Sequence, residues 1–299
     1  MNLSQYLYVI IAMLNARQHL PALLRRLADL PFPVRVVAID QGSTDGTREW
    51  LRGLVSDGLM VVPNEGNVGV ARAWNQGIRI ALANRAEAVL ICGHDTCPMP
   101  GAIERLVALA QSGVPFITGT QVPYDTPETP CAPPQPGEPL IAAPDFSCFL
   151  LPTPTIEALA IHEARSGAKI SPWQLGLFDE RFDPAYFEDG DYHIRLHQAG
   201  IGAFADPGAL FRHDCSLTIR TNPEIARLNQ ETFRRNADLY AQKWGGLPHQ
   251  LDVPPQARPL NVSDEQWAAM TGGRPVLQVD PAVVAANAQR VYAQYGITG

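Results

Sequence analysis

The first hundred residues alternate between short apolar runs and segments with helical spacing, and this alternation constrains the fold more than any other feature. Residues 6–14 and 34–39 are continuous apolar runs rich in residues that favour strands. Such runs are typical of strands buried on both faces of a parallel sheet. Between them, residues 19–30 carry leucines at the spacing of an amphipathic helix. A strand, a helix and a second strand form the repeating unit of a parallel α/β sheet.

The same alternation continues through the next fifty residues. Val61 and Val62 predict a short third strand, residues 70–84 predict a helix, and residues 88–92 predict a fourth strand. Four alternations predict an α/β fold with a doubly wound sheet flanked by helices. Ligands bind at the carboxyl ends of the strands in such sheets. Polar residues follow the predicted strands here, namely Asn15, Asp40, Asn67 and Asp95.

Downstream of the fourth strand the pattern is less regular. Residues 122–139 contain seven prolines, which predicts an extended loop on one rim of the ligand site. Residues 146–151 predict a further strand. Residues 176–200 predict a compact loop followed by a helix over 191–198, which Gly200 ends.

The C-terminal part of the chain differs in composition. From residue 247 it is rich in proline and alanine, and residues 281–295 predict a helix. We therefore divide the chain into a main domain, residues 1–245, and a small extension, residues 246–299. We expect the helix of the extension to pack onto the main domain or onto a second copy of the chain, which would give a homo-oligomer. Arg290 is its one basic residue, so we expect at most peripheral membrane contact.

Charge and cysteine content narrow the class of protein. Lysine and arginine number 23 against 30 acidic residues, for a net charge of −7, and no basic block occurs. This predicts no nucleic-acid partner, because such binding depends on a surface that neutralises phosphates. Five cysteines form no CxxC pair, and the N-terminal residues lack the basic region of a signal peptide. We expect a soluble cytoplasmic protein with reduced thiols.

Three carboxylates fall within four residues near the predicted helix of the 176–200 unit. Asp191 alone would be explained as a helix-capping residue. Glu188 and Asp189 exceed what one cap needs, so they are the better candidates for a functional site. His193 and His197 share a helix face without the glutamate of a zinc-binding HExxH pattern, and we interpret that face as solvated.

Asp95 and His213 are the candidate metal ligands. Asp95 follows the fourth predicted strand, and His213 ends a strand-like stretch 24 residues after Asp189. A lone histidine is usually structural, but a carboxylate and an imidazole together are suited to a divalent cation. Diphosphate oxygens and water would fill the remaining positions.

Seven short segments follow one another in an order that is typical of one known family. They are IAMLN (11–15), VAIDQGSTDGT (37–47), NVGVARAWNQG (67–77), LICGHDTCPMP (90–100), GLFDERF (176–182), FEDGD (187–191) and FRH (211–213). The ordered set resembles the inverting family 2 glycosyltransferases of GT-A fold, in particular the rhamnosyltransferase-like bacterial members. The resemblance covers residues 6 to about 245 and implies a nucleotide-diphospho-sugar transferase fold with a mixed sheet. Residues 1–245 would then be the catalytic domain.

The resemblance implies a nucleotide-binding set. Asp40 would accept a hydrogen bond from the base, and Asn67 would lie beside the nucleotide. His94 stands where relatives commonly carry an asparagine or an aspartate, and it would be an added metal ligand or a ribose contact. The remaining members would line the pocket of the base and ribose, namely Ala12, Met13 and Asn15.

The resemblance also implies the catalytic set and the cofactor. Asp95 and His213 would coordinate Mn²⁺ or Mg²⁺ at the diphosphate. Asp189 would be the catalytic base, and Glu188 would help to orient the acceptor or the loop. A diphosphate beside Asp95 would be repelled in a protein of charge −7, and a 2+ ion between them reverses the sign of that interaction. We therefore predict metal dependence.

The predicted function is a transferase, namely an inverting hexosyltransferase. It would move a sugar from a UDP-sugar or dTDP-rhamnose to a hydroxyl of a glycan, a glycolipid (lipid-linked) or a glycoprotein acceptor, as in polysaccharide biosynthesis. One alternative is a sugar nucleotidyltransferase, which would favour a Gly-rich basic loop after the first strand, where this chain has only Arg17. Another is a non-catalytic relative that binds nucleotide-sugar or glycan, against which the pair Glu188 and Asp189 argues.

Overall fold

A single mixed sheet forms the centre of the molecule. A computed structural model describes residues 7–214, 223–260 and 262–297. Within these ranges ten strands belong to the sheet. They are β1 (Leu7–Met13), β2 (Arg35–Gln41), β3 (Leu59–Asn64), β4 (Ala88–Gly93), β5 (Thr96–Pro98), β6 (Ile117–Pro123), β7 (Leu140–Ile141), β8 (Cys148–Pro152), β9 (Phe204–His213) and β10 (Gln278–Val279).

The order of the strands separates a parallel half from a mixed half. The sheet runs β10-β7-β9-β6-β8-β4-β1-β2-β3, and β5 pairs with β9 off this path. β1 is parallel to both β2 and β4, and β2 is parallel to β3. β8 lies antiparallel between β4 and β6, and β9 is parallel to β6. The four predicted strands of the parallel half are confirmed, with ends that differ by at most two residues.

Helices cover both faces of the sheet. In the described ranges they are α1 (Leu20–Ala28), α2 (Thr47–Arg52), α3 (Val70–Ala83), α4 (Ala102–Gln111), α5 (Thr153–Ser166), α6 (Glu188–Gln198), α7 (Pro223–Trp244), α8 (Asp264–Thr271) and α9 (Pro281–Tyr295). None of the helices in these ranges is both long enough and apolar enough to cross a bilayer.

Two hydrophobic cores lie on opposite faces of the sheet because side chains of a strand alternate between its faces. Leu7, Val9 and Ile11 of β1 belong to the core under α1 and α4. Tyr8 and Ile10 belong to the other core, under α3, α5 and α6. Both faces of β1 are therefore buried, as its continuous apolar run predicted. The predicted doubly wound mixed sheet is confirmed.

The C-terminal residues extend the sheet and cover one of its helices. β10 pairs antiparallel with β7. The Tyr292 hydroxyl lies 2.6 Å from the Thr155 hydroxyl of α5, and the Tyr295 hydroxyl lies 2.8 Å from Nδ1 of His162. The helix predicted over 281–295 is confirmed as α9, and these contacts place it against α5 of the same chain.

The structure corrects two expectations about α6. This helix begins at Glu188, three residues before the predicted start. Asp191 makes no capping hydrogen bond; its carboxylate contacts Arg195, Lys243 and Trp244 instead. The face that carries His193 is not solvated, because His193 is only 4% exposed and its ring lies 6.5 Å from that of Phe146. α6 is buried between the sheet and α7, and its charged residues Asp191 and Arg195 form internal ion pairs.

The burial of His193 predicts a pH-dependent stability. Burial lowers the pKa of His193 to about 4, against an ordinary value near 6.5. The unfolded chain therefore takes up a proton between pH 6.5 and pH 4 that the folded chain does not, and stability falls with pH over that window. His193→Gln removes this proton uptake. From pH 7 to pH 4, the free energy of unfolding of the variant should gain about 3 kcal/mol relative to wild type.

Urea unfolding at pH 7 and pH 4 measures this difference. His197→Gln is the matched control, because His197 lies on the same helix and is exposed. The control should follow the wild-type pH dependence. A His193→Gln curve parallel to that of wild type would show that His193 is not buried in its neutral form.

Candidate active site

The end of β1 is fixed to the turn that follows β2. Asn15 has a φ of +54°, a conformation that asparagine tolerates better than most residues. Its side-chain oxygen accepts a hydrogen bond from Thr44 N at 2.8 Å, and its own backbone N donates to Ser43 Oγ at 2.9 Å. In the structure, Asn15 therefore shapes the loop at the carboxyl edge of the sheet.

Asp40 is fully buried at the end of β2, opposite Met13 in the β1–β2 register. Its Oδ1 accepts from Ser43 N at 3.1 Å, and its Oδ2 lies 2.5 Å from Nε of Arg48. Arg48 is 22% exposed, so it covers the Asp40 carboxylate on the solvent side. Met13 is fully buried in the core under α1 and α4, where it packs beneath the end of β1. Sequence reasoning missed Arg48, which no motif singled out.

Asn67 lies at the turn that leads into α3. Its side-chain oxygen accepts from Gly69 N at 2.9 Å, and the neighbouring Val68 N donates to the Gln41 side chain at 3.2 Å. Gly69 has a φ of +86°, and a Cβ there would approach Oδ1 of Asp183 to 2.4 Å. This close approach requires glycine, and it joins the Asn67 turn to the loop that precedes α6.

His94 connects the loop after β4 to the end of β1. Its Nδ1 lies 3.3 Å from the carbonyl oxygen of Ala12. Burial lowers the pKa of His94, although the neighbouring Asp95 charge acts in the opposite direction. The neutral ring is therefore the dominant form near pH 7. Ala12 and His94 lie together at the edge of the sheet where β1 and β4 end.

Asp95 and His213 are brought together by a short antiparallel pairing. β5 pairs with β9 so that Thr96 is opposite His213. As a result, Oδ1 of Asp95 lies 3.5 Å from Nε2 of His213. Burial alone would raise the pKa of Asp95, but the hydrogen bond from His213 and the nearby imidazoles outweigh it, and the net direction is down. Asp95 is therefore ionised near pH 7.

The donor set at this pair fits a divalent cation. His213 Nδ1 lies 3.3 Å from the side-chain oxygen of Gln121, whose amide nitrogen donates to Asp145. A ligating histidine is commonly oriented in this way by a partner on its other ring nitrogen. Within the described residues, no three His, Cys, Asp or Glu side chains converge as a metal-binding group. A cation here would have two protein ligands of mixed O and N type, which suits Mn²⁺.

Glu188 and Asp189 are the first two residues of α6. They follow Phe187, whose φ is +74°. Asp189 is partly exposed, and its Oδ1 accepts from Gly190 N at 2.7 Å. Burial raises the pKa of Asp189. A carboxylate with a raised pKa is a stronger base than an ordinary one, and the bond from Gly190 N restricts its orientation.

Glu188 differs from Asp189 in its surroundings. It is 6% exposed, and its Oε2 has no hydrogen-bond partner. Burial and the neighbouring Asp189 charge raise the pKa of Glu188 well above its usual range. Burial of this carboxyl group without a partner for Oε2 favours its neutral, protonated form.

A buried ion cluster fixes α6 to α7. The Nζ of Lys243 lies 2.5 Å from Asp191 Oδ1 and 2.8 Å from Asp179 Oδ2. Trp244 Nε1 also donates to Asp191, at 3.0 Å. Arg195 of α6 in turn pairs with Glu163 of α5 at 2.5 Å. The start of α6, and with it the carboxylate pair Glu188 and Asp189, is held by these contacts.

Asp145 connects the metal pair to the carboxylate pair. It accepts from Gln121, which contacts His213. The charge of Asp145 also acts on Asp189. Asp145 is therefore linked by hydrogen bonds to the metal pair, and its charge contributes to the raised pKa of Asp189. Asp40 and Asn67 lie at the carboxyl edge of the sheet, at the turns after β2 and β3.

Comparison with known proteins agrees with this architecture. Residues 8–153, just under half of the chain, match the family model described as glycosyl transferase family 2. A search of the curated proteins found no match. The solved structures that resemble the chain include TarS 1–349 of S. aureus in complex with UDP, with a TM-score of 0.52 and 14% identity. That alignment covers 89% of this chain and 69% of TarS 1–349.

A second similar structure contains both a nucleotide-sugar and a metal ion. It is the mannosyltransferase PcManGT from Pyrobaculum calidifontis in complex with GDP-Man and Mn²⁺, with a TM-score of 0.50 and 18% identity. The alignment covers 97% of this chain and 73% of that protein. The rhamnosyltransferase-like subtype stays a prediction. The described chain has the GT-A glycosyltransferase fold, and its residues 8–153 match the model of glycosyl transferase family 2.

Proposed function

We propose that this protein is an inverting, metal-dependent glycosyltransferase. It transfers a sugar from a UDP-sugar or dTDP-rhamnose to a hydroxyl of a glycan, a glycolipid or a glycoprotein. The observation that carries the proposal is the 3.5 Å contact between the candidate metal ligands, Asp95 and His213, where β5 pairs with β9. The candidate base, Asp189, has a raised pKa at the start of α6. The similar structures with UDP or with GDP-Man and Mn²⁺ support a nucleotide-sugar donor.

The donor side of the proposed reaction uses the carboxyl edge of β1, β2 and β4. Asp95 and His213 would hold Mn²⁺ or Mg²⁺, which when bound supplies positive charge for the diphosphate leaving group. Ala12, Asn15 and Asn67 lie at the ends of the strands where the nucleotide would bind. Asp40 is buried, and Arg48 covers its carboxylate on the solvent side. A nucleotide base that binds to Asp40 would therefore also contact Arg48, so we include Arg48 in the proposed nucleotide pocket.

The acceptor side uses the start of α6. The acceptor hydroxyl oxygen attacks the anomeric carbon from the face opposite the diphosphate. The bond between that carbon and the phosphate oxygen breaks as the new bond forms, and a single displacement inverts the configuration. Asp189 takes the hydroxyl proton on a carboxylate oxygen, because the pKa of a sugar hydroxyl is far above neutrality. Glu188 is buried at the start of α6, so its proposed role is to orient the loop that leads to Asp189.

Nucleotide titration tests the proposal. Calorimetric titration of UDP, dTDP and GDP in Mn²⁺ should show one preferred nucleotide, and EDTA should weaken that binding. His213→Ala removes one of the two protein ligands, so it should weaken metal-dependent nucleotide binding at least about tenfold, as loss of even an outer-shell partner does. His197→Ala, which lies on an exposed part of α6, is the control and should bind like wild type.

The outcomes separate the proposed enzyme from its alternatives. Absence of binding by all three nucleotides, with and without Mn²⁺, would contradict the proposal. Metal-dependent binding without transfer or hydrolysis of any nucleotide-sugar would favour the non-catalytic binding protein. Formation of a nucleotide-sugar from a nucleoside triphosphate and a sugar phosphate would favour the nucleotidyltransferase.

A further inference from the structure

The chain enters α6 through a turn with an uncommon backbone conformation. We name residues 183–187 the entry turn of α6. Tyr186 and Phe187, the two residues directly before Glu188, have φ values of +75° and +74°. Bulky residues rarely adopt this left-handed conformation, and it persists only where surrounding contacts impose it. The contacts that impose it here therefore also determine how α6 begins.

One side chain of α7 holds the backbone of the entry turn. Asn236 is fully buried, and its Nδ2 donates to the carbonyl oxygen of Ala185 at 2.9 Å. The same nitrogen lies 3.3 Å from the carbonyl oxygen of Asp183 and 3.4 Å from that of Tyr186. The side-chain oxygen of Asn236 accepts from the guanidinium of Arg235, which also donates to the carbonyl oxygen of Asp183. A single buried amide thus contacts most of the entry turn.

Neighbouring residues of α7 pack against the rings of the entry turn. Phe233 precedes Asn236 by three residues and Tyr240 follows it by four, so the three side chains share one face of α7. The ring of Phe233 lies 5.3 Å from that of Tyr186 and 5.2 Å from that of Phe187. The ring of Tyr240 lies 5.6 Å from that of Phe187. These rings restrict the side chains of the turn, and Asn236 restricts its backbone.

The entry turn is continuous with the first turn of α6. The carbonyl oxygen of Phe187 accepts from Asp191 N at 2.9 Å, a backbone hydrogen bond that closes the first helical turn. Asp189 lies within this turn, so its direction depends on how the helix begins. We propose that Asn236 is a positioning residue for Asp189, which acts by holding the entry turn in its left-handed conformation. This inference rests on the proposed function, in which Asp189 is the base.

Replacing Asn236 with leucine tests the role of the amide. Leucine is similar in size but cannot donate, so the entry turn can relax toward an ordinary conformation and displace Asp189. Because a displacement of about 1 Å can cost about 10²-fold in rate, kcat should fall about tenfold to a hundredfold. Nucleotide affinity and KM for the donor should be unchanged, because the metal pair and the strand ends are untouched.

Turnover is followed as release of UDP from UDP-glucose or of dTDP from dTDP-rhamnose, and nucleotide affinity is measured by calorimetric titration in Mn²⁺. Gln242→Leu is the matched control, because it replaces an exposed amide of the same helix with the same residue. The control should keep the wild-type kcat, KM and nucleotide affinity.

Two substitutions of Tyr186 isolate the backbone conformation. Tyr186→Gly and Tyr186→Val both remove the ring, but only valine opposes a positive φ, because it is β-branched. Both keep the buried Asn236, so they test the proposal even where Asn236→Leu does not fold. Tyr186→Val should have a lower kcat than Tyr186→Gly. In the double variant of Asn236→Leu with Tyr186→Gly, glycine adopts the left-handed conformation without the amide, and most of the lost kcat should return.

Amide hydrogen exchange over residues 185–191 follows the entry turn without turnover. Exchange in this segment should be faster than in wild type for Asn236→Leu and for Tyr186→Val, because the turn opens more often. It should be slower in the double variant than in Asn236→Leu. The Gln242→Leu control should exchange like wild type.

Three results would overturn the inference. The first is a wild-type kcat in Asn236→Leu or, where that variant does not fold, an equal kcat in Tyr186→Val and Tyr186→Gly. The second is a loss of nucleotide affinity as large as the loss of kcat, without recovery in the double variant, which would give Asn236 a structural role. The third is absence of nucleotide binding and turnover in the wild-type protein, which overturns the proposed function as well. Hydrogen exchange distinguishes this last result, because it reports the contact between Asn236 and the entry turn by itself.

Discussion

Replacing Asp189 with asparagine is expected to lower kcat by about 10² to 10⁴-fold, the usual contribution of a positioned general base. The amide keeps the size of the carboxylate and can still accept from Gly190 N, but it cannot take the proton of the acceptor hydroxyl. Nucleotide binding should be unchanged, because the metal pair and the strand ends are untouched. Transfer assays and calorimetric titration on the same protein sample measure both effects.

The control for this substitution is Asp252→Asn, an exposed carboxylate of the C-terminal extension. It should leave kcat within twofold of wild type, as is usual for a surface substitution away from the site. The expected loss of kcat in Asp189→Asn and its expected unchanged nucleotide affinity can fail separately. Asp189→Asn with wild-type kcat would remove Asp189 as the base and turn attention to Glu188. A loss of nucleotide affinity as large as the loss of kcat would indicate that Asp189 maintains the structure of the site.

The same substitution has a pH signature. Burial raises the pKa of Asp189, so the ionised base is depleted at a higher pH than for an ordinary aspartate. Wild-type kcat should therefore fall as pH is lowered through that pKa. The residual activity of Asp189→Asn should lack this acid limb.

The parallel half of the sheet could be predicted from the sequence because its strands are buried on both faces. The apolar run of β1 has no polar interruption, since its residues alternate between the two cores. Such a run is visible without knowledge of its partners. The polar residues that follow these strands, Asn15 and Asp40 among them, could be placed at one edge by topology alone.

The mixed half could not be predicted in the same way. β5 and β7 have three and two residues, which is too short for a periodic pattern. α7 has 22 residues, but its buried positions are largely polar ones, Thr232, Asn236 and Lys243. Polar side chains of a helix are buried only when they have hydrogen-bond or ionic partners. The partners of α7 lie in segments that are distant in sequence. The amide of Asn236, for example, donates to the carbonyl oxygens of Ala185 and Tyr186.

The residues of the candidate site could likewise be predicted only in part. Asp95 and His213 could be named as a pair from the motifs, yet the 3.5 Å contact depends on the pairing of β5 with β9. The partner of the Asp40 carboxylate was not predicted, because Arg48 is a single polar residue with no local signal. The prediction that His193 lies on a solvated face of α6 was wrong for a related reason. Charged residues near His193 form ion pairs inside the protein, so the charge pattern of the helix does not mark its exposed face.

The largest expected effect on stability is that of Lys243→Met. Lys243 is the cation shared by Asp179 and Asp191, and all three side chains are at most 3% exposed. Methionine fills a similar volume but leaves two buried carboxylates with less positive charge. Removal of one partner of a buried ion pair costs about 3–5 kcal/mol. Urea unfolding at pH 7 should show a loss of this size, and α6, which carries Asp189, should lose its fixed position at the same time.

The pH dependence of this loss follows from Asp179. Burial would raise the pKa of Asp179, but Arg181 and Lys243 together hold it at about 2, below the ordinary value of 3.8. The wild type therefore has stability above pH 4 that is lost as pH falls toward 2. Without Lys243 the folded-state pKa rises. The difference between variant and wild type should then be largest at pH 7 and smaller near pH 3, where Asp179 of the variant is protonated and no longer needs a cation.

Arg227→Met is the matched control on the same helix. Arg227 pairs with Glu231 at 2.7 Å, but both side chains are more than half exposed. An exposed pair at this helical spacing contributes only about 0.3–0.5 kcal/mol. A loss for Lys243→Met no larger than that of the control would mean that Asp179 and Asp191 are satisfied without Lys243. In that case Arg181, Arg195 and Trp244 alone would fix the start of α6.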